Sequence, residues 1–447
     1  MQMKKEPTMT VGIMDRQQKV RGCLNGVFYG NGFGALSGGV SAKTVSGEIV
    51  LIDEEDREVA RSSFIKLTAR KGSTFTLYNV MIGINFHWQR EEDQTFQGNL
   101  VLKIRKDGTV TAINEIPLED YLQSVISSEM SPHAPPEFLM AHAILSRSWL
   151  LKALERKKQS KGASTTMPIE KIIKDEKEIT RWYEQEDHDL FDVCADDHCQ
   201  RYQGITKIIS EKAAEAVRET RGKVIAYNDE ICDARFSKAC GGLTEEFATA
   251  WDNIHISYLK TISDELIAQP SIRTEEDAAR WILSEPRAYC NTKDAAILEN
   301  ILPDFDLETK AFFRWKVGYS RQDLEEILRE KSGIDFGVLK EIQPLSRGPS
   351  GRIYRLRIVG SKKSVVVGKE LEIRRWLSRS HLYSSAFIVK AAYNSQGDVE
   401  RFVFHGAGWG HGVGLCQIGA AVMADRGLTA EEILRHYFTG AEIRNIY

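Results

Sequence analysis

The first 110 residues alternate between short β-branched stretches and turns that contain glycine. Stretches such as 44–52 and 73–78 have the residue types and the bounding turns that favour β-strands. Residues 98–109 form a similar stretch that ends in Asp107-Gly108, a dipeptide typical of hairpin turns. The pattern therefore predicts a β-rich N-terminal region.

The pattern changes to a helical period after Pro117. Apolar residues recur along one stripe from Leu118 to Met130, which predicts an amphipathic helix. A second helical segment begins at 135–136 and is apolar on almost every side through Leu154, so we expect it to be deeply buried. Residues 157–181 are polar and charged, and we expect them to form a solvated insertion.

The rest of the chain mixes both kinds of pattern. Strand and loop signals over 205–260 are followed by two amphipathic helical patterns, and the last helix begins with the capping box Thr429-x-x-Glu432. We therefore predict an α+β fold, with a mixed α/β core and inserted helical segments. The predicted boundaries are 1–105 for the β-rich domain, 106–270 and 346–447 for the two parts of the core, and 271–345 for a helical insertion.

Composition narrows the class of protein. Lys and Arg number 60 and Asp and Glu 63, a net charge of −3, so nucleic acid is not expected as the main partner. No apolar run approaches the roughly 20 residues of a membrane helix. Residues 1–7 lack the apolar stretch of a secretory signal, so we expect a cytoplasmic chain or a sequence without its leader. Seven cysteines are too few for a disulfide scaffold of this length.

Glu129 is the first candidate for chemistry. It lies on the same helical stripe as Leu122 and Val125, so its carboxyl group is expected to face the buried side of the helix. Burial disfavours the charged form and raises the pKa of a carboxyl group, which is what a general acid requires. The alternative is a residue at the helix end that turns back to solvent before Pro132.

Arg147 lies on the buried face of the second helix, where a guanidinium group needs a partner or an anionic ligand. It is either a substrate-binding or positioning group, or one half of a structural ion pair. Asp120 is nine residues from Glu129 and about half a turn out of phase with it. A pair of catalytic carboxylates on this helix is therefore disfavoured.

Four ligands that suit zinc lie within twelve residues. A closed set of two cysteines and two histidines is a normal structural zinc site, and adjacent ligands imply a loop rather than a helix. The alternative is a group of scattered histidines and reduced cysteines without a metal. We predict one structural Zn²⁺, bound by His188, Cys194, His198 and Cys199.

Two glycine-rich segments form the third candidate site. Glycine occupies every second position from 406 to 414, so an extended segment 405–417 would leave one side as bare backbone for a ligand or another strand. The second segment, 236–244, could supply polar groups beside it. The alternatives are a tight corner between a strand and a helix, or a thiol nucleophile formed by Cys240 or Cys416 with His411.

Together these segments resemble the stage II sporulation protein D family, also called the amidase-enhancer family. The resemblance runs from about residue 100 to the C-terminus. The matching motifs are Asn114-Glu-Ile-Pro-Leu-Glu-Asp-Tyr-Leu-Gln-Ser-Val-Ile-Ser-Ser-Glu-Met130, Ser146-Arg-Ser148, Cys199-Gln-x-Tyr-x-Gly204, the segment 237–244, and Gly406-x-Gly-Trp-Gly-His-Gly-Val-Gly-Leu-Cys-Gln-x-Gly-Ala420.

The resemblance implies a peptidoglycan lytic transglycosylase that acts on glycan strands without stem peptides, in which Glu129 is the catalytic acid. It also implies zinc on the four residues named above and, as partners, the glycan and a cell-wall amidase. A glycan hydrolase and a non-catalytic glycan-binding enhancer of an amidase are the alternatives. The sequence departs from the family in Gly414-Leu-Cys-Gln417, where Gly-Met-Ser-Gln is common. The expected glycan contacts are Arg147, Ser237, Cys240, Thr244, Trp409, His411 and Gln417.

Overall fold

The computed structural model describes residues 5–84, 89–162, 170–174, 177–183, 188–196, 199–208, 210–265, 272–307 and 311–447. The chain divides into two compact units. The first unit contains Met1–Ala163, Gln185–Val224 and Arg444–Tyr447, and the second contains Ser164–Glu184 and Ile225–Ile443. No helix among the described residues is both long and apolar enough to span a bilayer.

The predicted mixture of strands and helices is confirmed. The strands are Thr8–Gln17 (β1), Lys19–Gly30 (β2), Phe33–Val45 (β3), Glu48–Asp53 (β4), Glu58–Ser62 (β5), Phe64–Ala69 (β6), Thr74–Ile82 (β7), Arg90–Gln97 (β8), Asn99–Ile104 (β9), Val110–Pro117 (β10), Glu170–Lys174 (β11), Glu178–Tyr183 (β12), Val193–Cys194 (β13), Lys223–Tyr227 (β14), Glu230–Ile231 (β15), Phe236–Ser237 (β16), Arg314–Ser320 (β17), Leu339–Arg347 (β18), Ile353–Gly360 (β19), Ser364–Gly368 (β20), Phe387–Tyr393 (β21), Val399–Ala407 (β22), Leu415–Cys416 (β23) and Glu442–Asn445 (β24). The helices are Leu118–Glu129 (α1), Pro136–Gly162 (α2), Glu211–Glu219 (α3), Phe247–Ala250 (α4), Glu275–Leu283 (α5), Ala295–Ile301 (α6), Asp304–Leu307 (α7), Arg321–Ser332 (α8), Glu370–Trp376 (α9), Gln417–Asp425 (α10) and Ala430–Tyr437 (α11).

A large sheet, antiparallel except for the parallel pairing of β13 with β1, forms most of the first unit. Eleven of the described strands belong to it, in the order β13-β1-β10-β9-β6-β2-β3-β4-β5, with β7 paired to β2 and β8. The predicted hairpin between β9 and β10 is present, and Gly108 at its turn has φ of +82°. The β-rich N-terminal region predicted from residues 1–110 is therefore confirmed.

Helices α1 and α2 pack against each other and provide the buried layer of this unit. Pro117 precedes α1, where its fixed φ suits the start of a helix. Leu118, Leu122 and Val125 are fully buried on the predicted stripe. Helix α2 is buried on almost every side as far as Leu151, as the absence of a polar face predicts.

A buried ion pair joins the two helices. The Arg147 guanidinium group in α2 donates to both carboxylate oxygens of Glu119 in α1, from Nε at 3.0 Å and from Nη2 at 2.6 Å. Arg147 also donates to the Lys223 carbonyl oxygen at 2.9 Å, and Glu119 accepts from the Gly222 amide and the Tyr447 hydroxyl. Arg147 therefore has the structural ion pair that the sequence left open as one of its two roles.

The second unit contains a five-stranded sheet in the order β11-β12-β20-β19-β18 and an antiparallel sheet in the order β17-β22-β21. Its main core lies between these sheets and helices α8 and α9, with Trp376, Leu356 and Phe404 almost fully buried. Helices α5 and α8 confirm the amphipathic patterns predicted in this part, and Thr274 and Ser320 cap their first turns.

The solvated insertion expected over 157–181 is wrong in part. Helix α2 continues to Gly162, and β12 pairs with β20 in parallel, with Thr180 opposite Gly368. Ile179 packs against the core and Trp182 is buried. A polar segment can join a sheet because its pairing depends on backbone groups, and Ile179 and Trp182 give this strand one apolar side chain on each face.

The Arg147–Glu119 pair generates a stability prediction. In Arg147→Met, Glu119 keeps its charge in a buried position without its cation, so we expect urea unfolding to show a loss of about 3–5 kcal/mol. The double variant Arg147→Met/Glu119→Gln should recover a large part of that loss, because it removes the buried charge as well. As a control, Arg16→Met breaks an exposed pair with Asp107 and should cost about 1 kcal/mol or less. Equal losses in Arg147→Met and Arg16→Met would contradict this role.

Candidate active site and metal clusters

The carboxyl group of Glu129 is turned into the protein. Glu129 is the last residue of α1 and is only 8% exposed, so it does not turn back to solvent. Its Oε1 accepts a hydrogen bond from the Arg201 amide at 2.9 Å. The stripe that predicted a buried carboxyl group at this position is confirmed.

The segment 199–203 runs beside α1 and holds Glu129 in place. The Tyr202 ring stacks on Tyr121 of α1 with centroids 5.0 Å apart, and its hydroxyl donates to Asn114 in β10. One residue further on, the amide of Gln203 donates to the Ser124 hydroxyl at 3.2 Å. Together with the bond from the Arg201 amide, these contacts fix the segment to the helix at several points.

The same segment begins at a cluster of metal-binding side chains. One ligand atom from each of His188, Cys194 and Cys199 lies within 4.8 Å of the others, and His188 Nε2 is 3.4 Å from Cys199 Sγ. Strand β13 carries Cys194 and pairs with β1, which sets its position. The fourth predicted ligand, His198, lies outside the described residues. Three of the four predicted zinc ligands are therefore together, and two thiols with an imidazole suit a metal such as zinc.

The two glycine-rich segments meet each other in the second unit. Strands β16 and β23 pair in parallel through Phe236 and Leu415, and Ala239 forms a bridge with Trp409. Beyond β22 the chain is not extended, because Gly408, Gly410, Gly412 and Gly414 all have φ between +74° and +91°. The extended conformation considered for the whole of 405–417 is therefore wrong. Other parts of this chain make the close contact that was expected at the bare backbone of these glycines.

Arg352, which the sequence did not single out, lies at the centre of this contact. It is fully buried and donates to the Cys240 carbonyl oxygen at 3.2 Å and to the Gly410 carbonyl oxygen at 3.1 Å, so it links both segments. A Cβ atom at Gly412 would lie 2.3 Å from its guanidinium carbon, which explains the glycine there. Arg352 also donates to Ser350, which donates to the buried carboxylate of Glu245. The alternation of glycines was the only signal in the sequence that something must approach this backbone.

Trp409 and His411 are the two half-buried members of the predicted contact set. Trp409 stacks on Tyr383 with centroids 4.2 Å apart. The His411 Nδ1 atom accepts from the Val413 amide at 3.0 Å, and the ring is also hydrogen-bonded to the Phe236 backbone. Burial, together with nearby arginines, holds the pKa of His411 well below its usual value. The His411 ring therefore links the two segments through hydrogen bonds. Because its acceptor nitrogen is already used and its pKa is lowered, it is not suited to be the base of a thiol nucleophile.

The other predicted contacts of this unit, Ser237, Cys240, Thr244 and Gln417, are buried. The Thr244 hydroxyl donates to the Lys260 carbonyl oxygen and accepts from the Ile262 amide. The Ser237 hydroxyl has no hydrogen-bond partner in the described part of the chain. The Cys240 side chain faces Cys290 and Cys416 beside Asp264, in a second group able to hold a metal ion.

Comparison with known proteins finds two family models that match different parts of the chain. A family model described as a stage II sporulation protein matches residues 106–227, and a model described as a domain of unknown function matches 245–414. Stage II sporulation protein D of Bacillus amyloliquefaciens is 23% identical over 74% of this chain and 75% of its own length. The protein of the same name from Bacillus subtilis (strain 168) is 25% identical over 74% of this chain and 76% of its own length.

The amidase enhancer of Bacillus subtilis (strain 168) is 22% identical over 51% of this chain and 32% of its own length. The residues matched by the first family model include Glu129, Arg147 and the cluster of His188, Cys194 and Cys199. Residues 106–227 therefore form a stage II sporulation protein domain, and the resemblance to the stage II sporulation protein D family that the motifs indicate is confirmed.

Proposed function

We propose that this chain is a peptidoglycan lytic transglycosylase with Glu129 as its acid. The observation that carries the proposal is a buried carboxyl group at the end of α1, held by the amide of Arg201 within a stage II sporulation protein domain. Burial disfavours the charge of a carboxyl group and so suits a general acid, whereas a hydrogen bond from a backbone amide favours the charged form. The names of the relatives place them in sporulation and in the enhancement of an amidase, and both fit a cell-wall role.

The proposed reaction needs only one carboxyl group. Glu129 donates its proton to the oxygen that joins N-acetylmuramic acid to N-acetylglucosamine as the bond from that oxygen to C1 breaks. The C6 hydroxyl of the muramic acid then bonds to C1, and the Glu129 carboxylate accepts the hydroxyl proton. The product is a 1,6-anhydro sugar, and no water or second catalytic carboxylate takes part.

We further propose that the cluster of His188, Cys194 and Cys199 binds one structural zinc ion, with His198 as the predicted fourth ligand. Four protein ligands leave no open position for substrate, which is typical of a structural site. Cys199 begins the segment that supplies the amide of Arg201 to Glu129. The ion would thus fix the position of the acid without contacting the substrate.

In the second unit, we propose that Trp409 and His411 contact the glycan. Aromatic rings suit the apolar face of a sugar ring, and both side chains are half-buried on the glycine-rich segment. The other predicted contacts would then hold the backbone in position without touching the glycan. They are the buried Ser237, Cys240, Thr244 and Gln417 in the second unit and Arg147 in the first. The alternative function, a non-catalytic glycan binder that assists a cell-wall amidase, is motivated by the amidase enhancer relative.

The first prediction concerns the reaction itself. Peptide-free glycan digested with the purified chain should give products with 1,6-anhydro ends, measured by mass spectrometry. In Glu129→Gln, the side-chain oxygen can still accept from the Arg201 amide, but the acidic proton is lost. Cleavage should therefore fall by about 10²–10⁴-fold with little change in the melting temperature.

Asp120→Asn is the matched control, because Asp120 lies half-buried on the same helix and has no role in the proposed reaction. It should keep most of the activity. New reducing ends in place of 1,6-anhydro ends would show that the chain is a hydrolase. Binding without cleavage would favour the non-catalytic enhancer. Full activity in Glu129→Gln would show that Glu129 is not the acid.

The second prediction concerns the zinc. Cys194→Ser/Cys199→Ser should contain one equivalent of zinc less than the parent chain by elemental analysis. Because the 199–203 segment loses an anchor, both the melting temperature and the cleavage rate should fall. Cys23→Ser, which replaces a cysteine outside both clusters, should change none of these. An unchanged zinc content in the double variant would exclude this site.

The third prediction concerns His411 and pH. The pKa of His411 is depressed in the folded chain, and a histidine in the unfolded chain titrates near about 6.5. The unfolded state therefore binds more protons at low pH, so the contribution of His411 to stability is present above pH 6.5 and is lost as the pH falls below it.

The measurement is the melting temperature at pH 7.5 and at pH 5.5. His411→Asn should reduce the difference between these two values, since Asn does not titrate. His255→Asn, a change at an exposed histidine of the same unit, should leave the difference as it is in the parent chain. An equal pH dependence in all three proteins would show that the pKa of His411 is not lowered in the folded chain.

A further inference from the structure

A second group of metal-binding side chains lies in the second unit, where four separate segments of the chain meet. One ligand atom from each of Cys240, Asp264, Cys290 and Cys416 lies within 4.8 Å of all the others. Each of the four residues is at most 3% exposed. The group is therefore a closed, water-poor site made of three soft ligands and one hard ligand.

The separation of the sulfur atoms fits a single ion. A tetrahedral zinc site with Zn–S bonds of about 2.3 Å places its sulfur atoms roughly 3.8 Å apart. The Sγ atoms of Cys240 and Cys290 are 3.7 Å apart. An iron–sulfur cluster would need more space, because several iron and sulfide atoms must lie between the thiolates. A disulfide needs the two sulfur atoms at about 2.05 Å.

Hydrogen bonds from neighbouring groups orient these four side chains. The Asp264 carboxylate accepts from the Cys290 amide at 2.7 Å and from the Tyr437 hydroxyl at 2.5 Å. The Cys240 amide donates to Cys416 Sγ at 3.2 Å, and the Gly242 amide donates to Cys240 Sγ at 3.4 Å. Hydrogen bonds of this kind fix the direction of metal ligands and stabilise their anionic forms.

No Lys, Arg or His of the described residues forms an ion pair with the buried Asp264, whose carboxyl group is bonded to the Cys290 amide and the Tyr437 hydroxyl. Ionised ligands in this group would therefore need the positive charge of a bound ion. Cys416 lies at the N-terminus of α10, where the helix dipole favours a thiolate. The nearby Arg314 donates to the carbonyl oxygens of Gly241 and Ser284, so its hydrogen bonds go to the backbone.

We propose that Cys240, Asp264, Cys290 and Cys416 bind one zinc ion, in a structural site separate from the cluster of His188, Cys194 and Cys199. Cys240 belongs to the segment 236–244 and Cys416 to the segment 405–417, so the ion would join the two glycine-rich segments. It would also attach Asp264 and Cys290 to them. Cys416 is the cysteine that stands where the resembled family often has serine, so this ligand is a feature of this chain.

The test measures zinc by elemental analysis in the full chain, purified without added metal. Cys290→Ser and Cys416→Ser should each contain one equivalent less than the parent chain. This loss does not depend on whether the first cluster also holds zinc, so the test is independent of the proposed function. Cys232→Ser is the matched control, because Cys232 is a buried cysteine of the same unit outside the cluster. It should keep the zinc content of the parent.

A second measurement covers the case in which these variants do not fold. In Cys194→Ser/Cys199→Ser and in the parent chain, zinc is exchanged for Co²⁺ and the visible absorption is recorded. Three thiolates around tetrahedral Co²⁺ give intense thiolate-to-cobalt bands, and these should be present in both proteins. Their absence in Cys194→Ser/Cys199→Ser would overturn the proposal, because in the parent chain the thiolates of the first cluster can give such bands as well. So would an unchanged zinc content in folded Cys416→Ser, or a disulfide between Cys240 and Cys290 in a non-reduced peptide map.

Discussion

Buried charge is the constraint on which the rest of this structure depends. A buried guanidinium group is costly unless most of its donors find acceptors, and each unit is organised around one such group. In the first unit, Arg147 holds α1 against α2 through Glu119. In the second unit, Arg352 holds the two glycine-rich segments through their carbonyl oxygens. Segments that are far apart in sequence meet where these two side chains have their partners.

The position of Glu129 follows from the first of these groups. The ion pair sets the register of α1 against α2 at the N-terminal end of α1, and Glu129 lies at the other end of the same helix. The segment 199–203 then fixes that end through a stacked tyrosine and a backbone amide. The proposed acid therefore depends on α1 and on a segment that begins at Cys199, a proposed zinc ligand. Its buried environment is made by the packing around it.

The two clusters of potential metal ligands differ in how they are built. His188, Cys194 and Cys199 are close in sequence, and Cys194 belongs to β13. In the other cluster, Cys240 is 50 positions from Cys290 and 176 positions from Cys416. A metal in the first cluster would close a short loop. A metal in the second would join segments that are otherwise held together by strand pairing, by backbone bridges and by Arg352.

Much of this protein is determined by the sequence alone. Local periodicity predicts the β-rich region, α1, α2 and the capped helices, because each depends on contacts between residues a few positions apart. Two further features also depend only on residues that are near each other in sequence. They are the position of Glu129 on the helical stripe and the spacing of His188, Cys194 and Cys199. The family motifs add the stage II sporulation protein domain at residues 106–227.

Only the tertiary structure decides what distant segments do to each other. The partner of Arg147, the role of Arg352, the left-handed glycines of 408–414 and the meeting of Cys240 with Cys416 depend on separations of 28 to 176 positions. No periodicity in the sequence reports such contacts. The strand Glu178–Tyr183 shows the same limit, since its polar sequence joins a sheet through backbone pairing with β20. Local patterns decide which elements form, whereas the burial of charge and backbone decides where they meet.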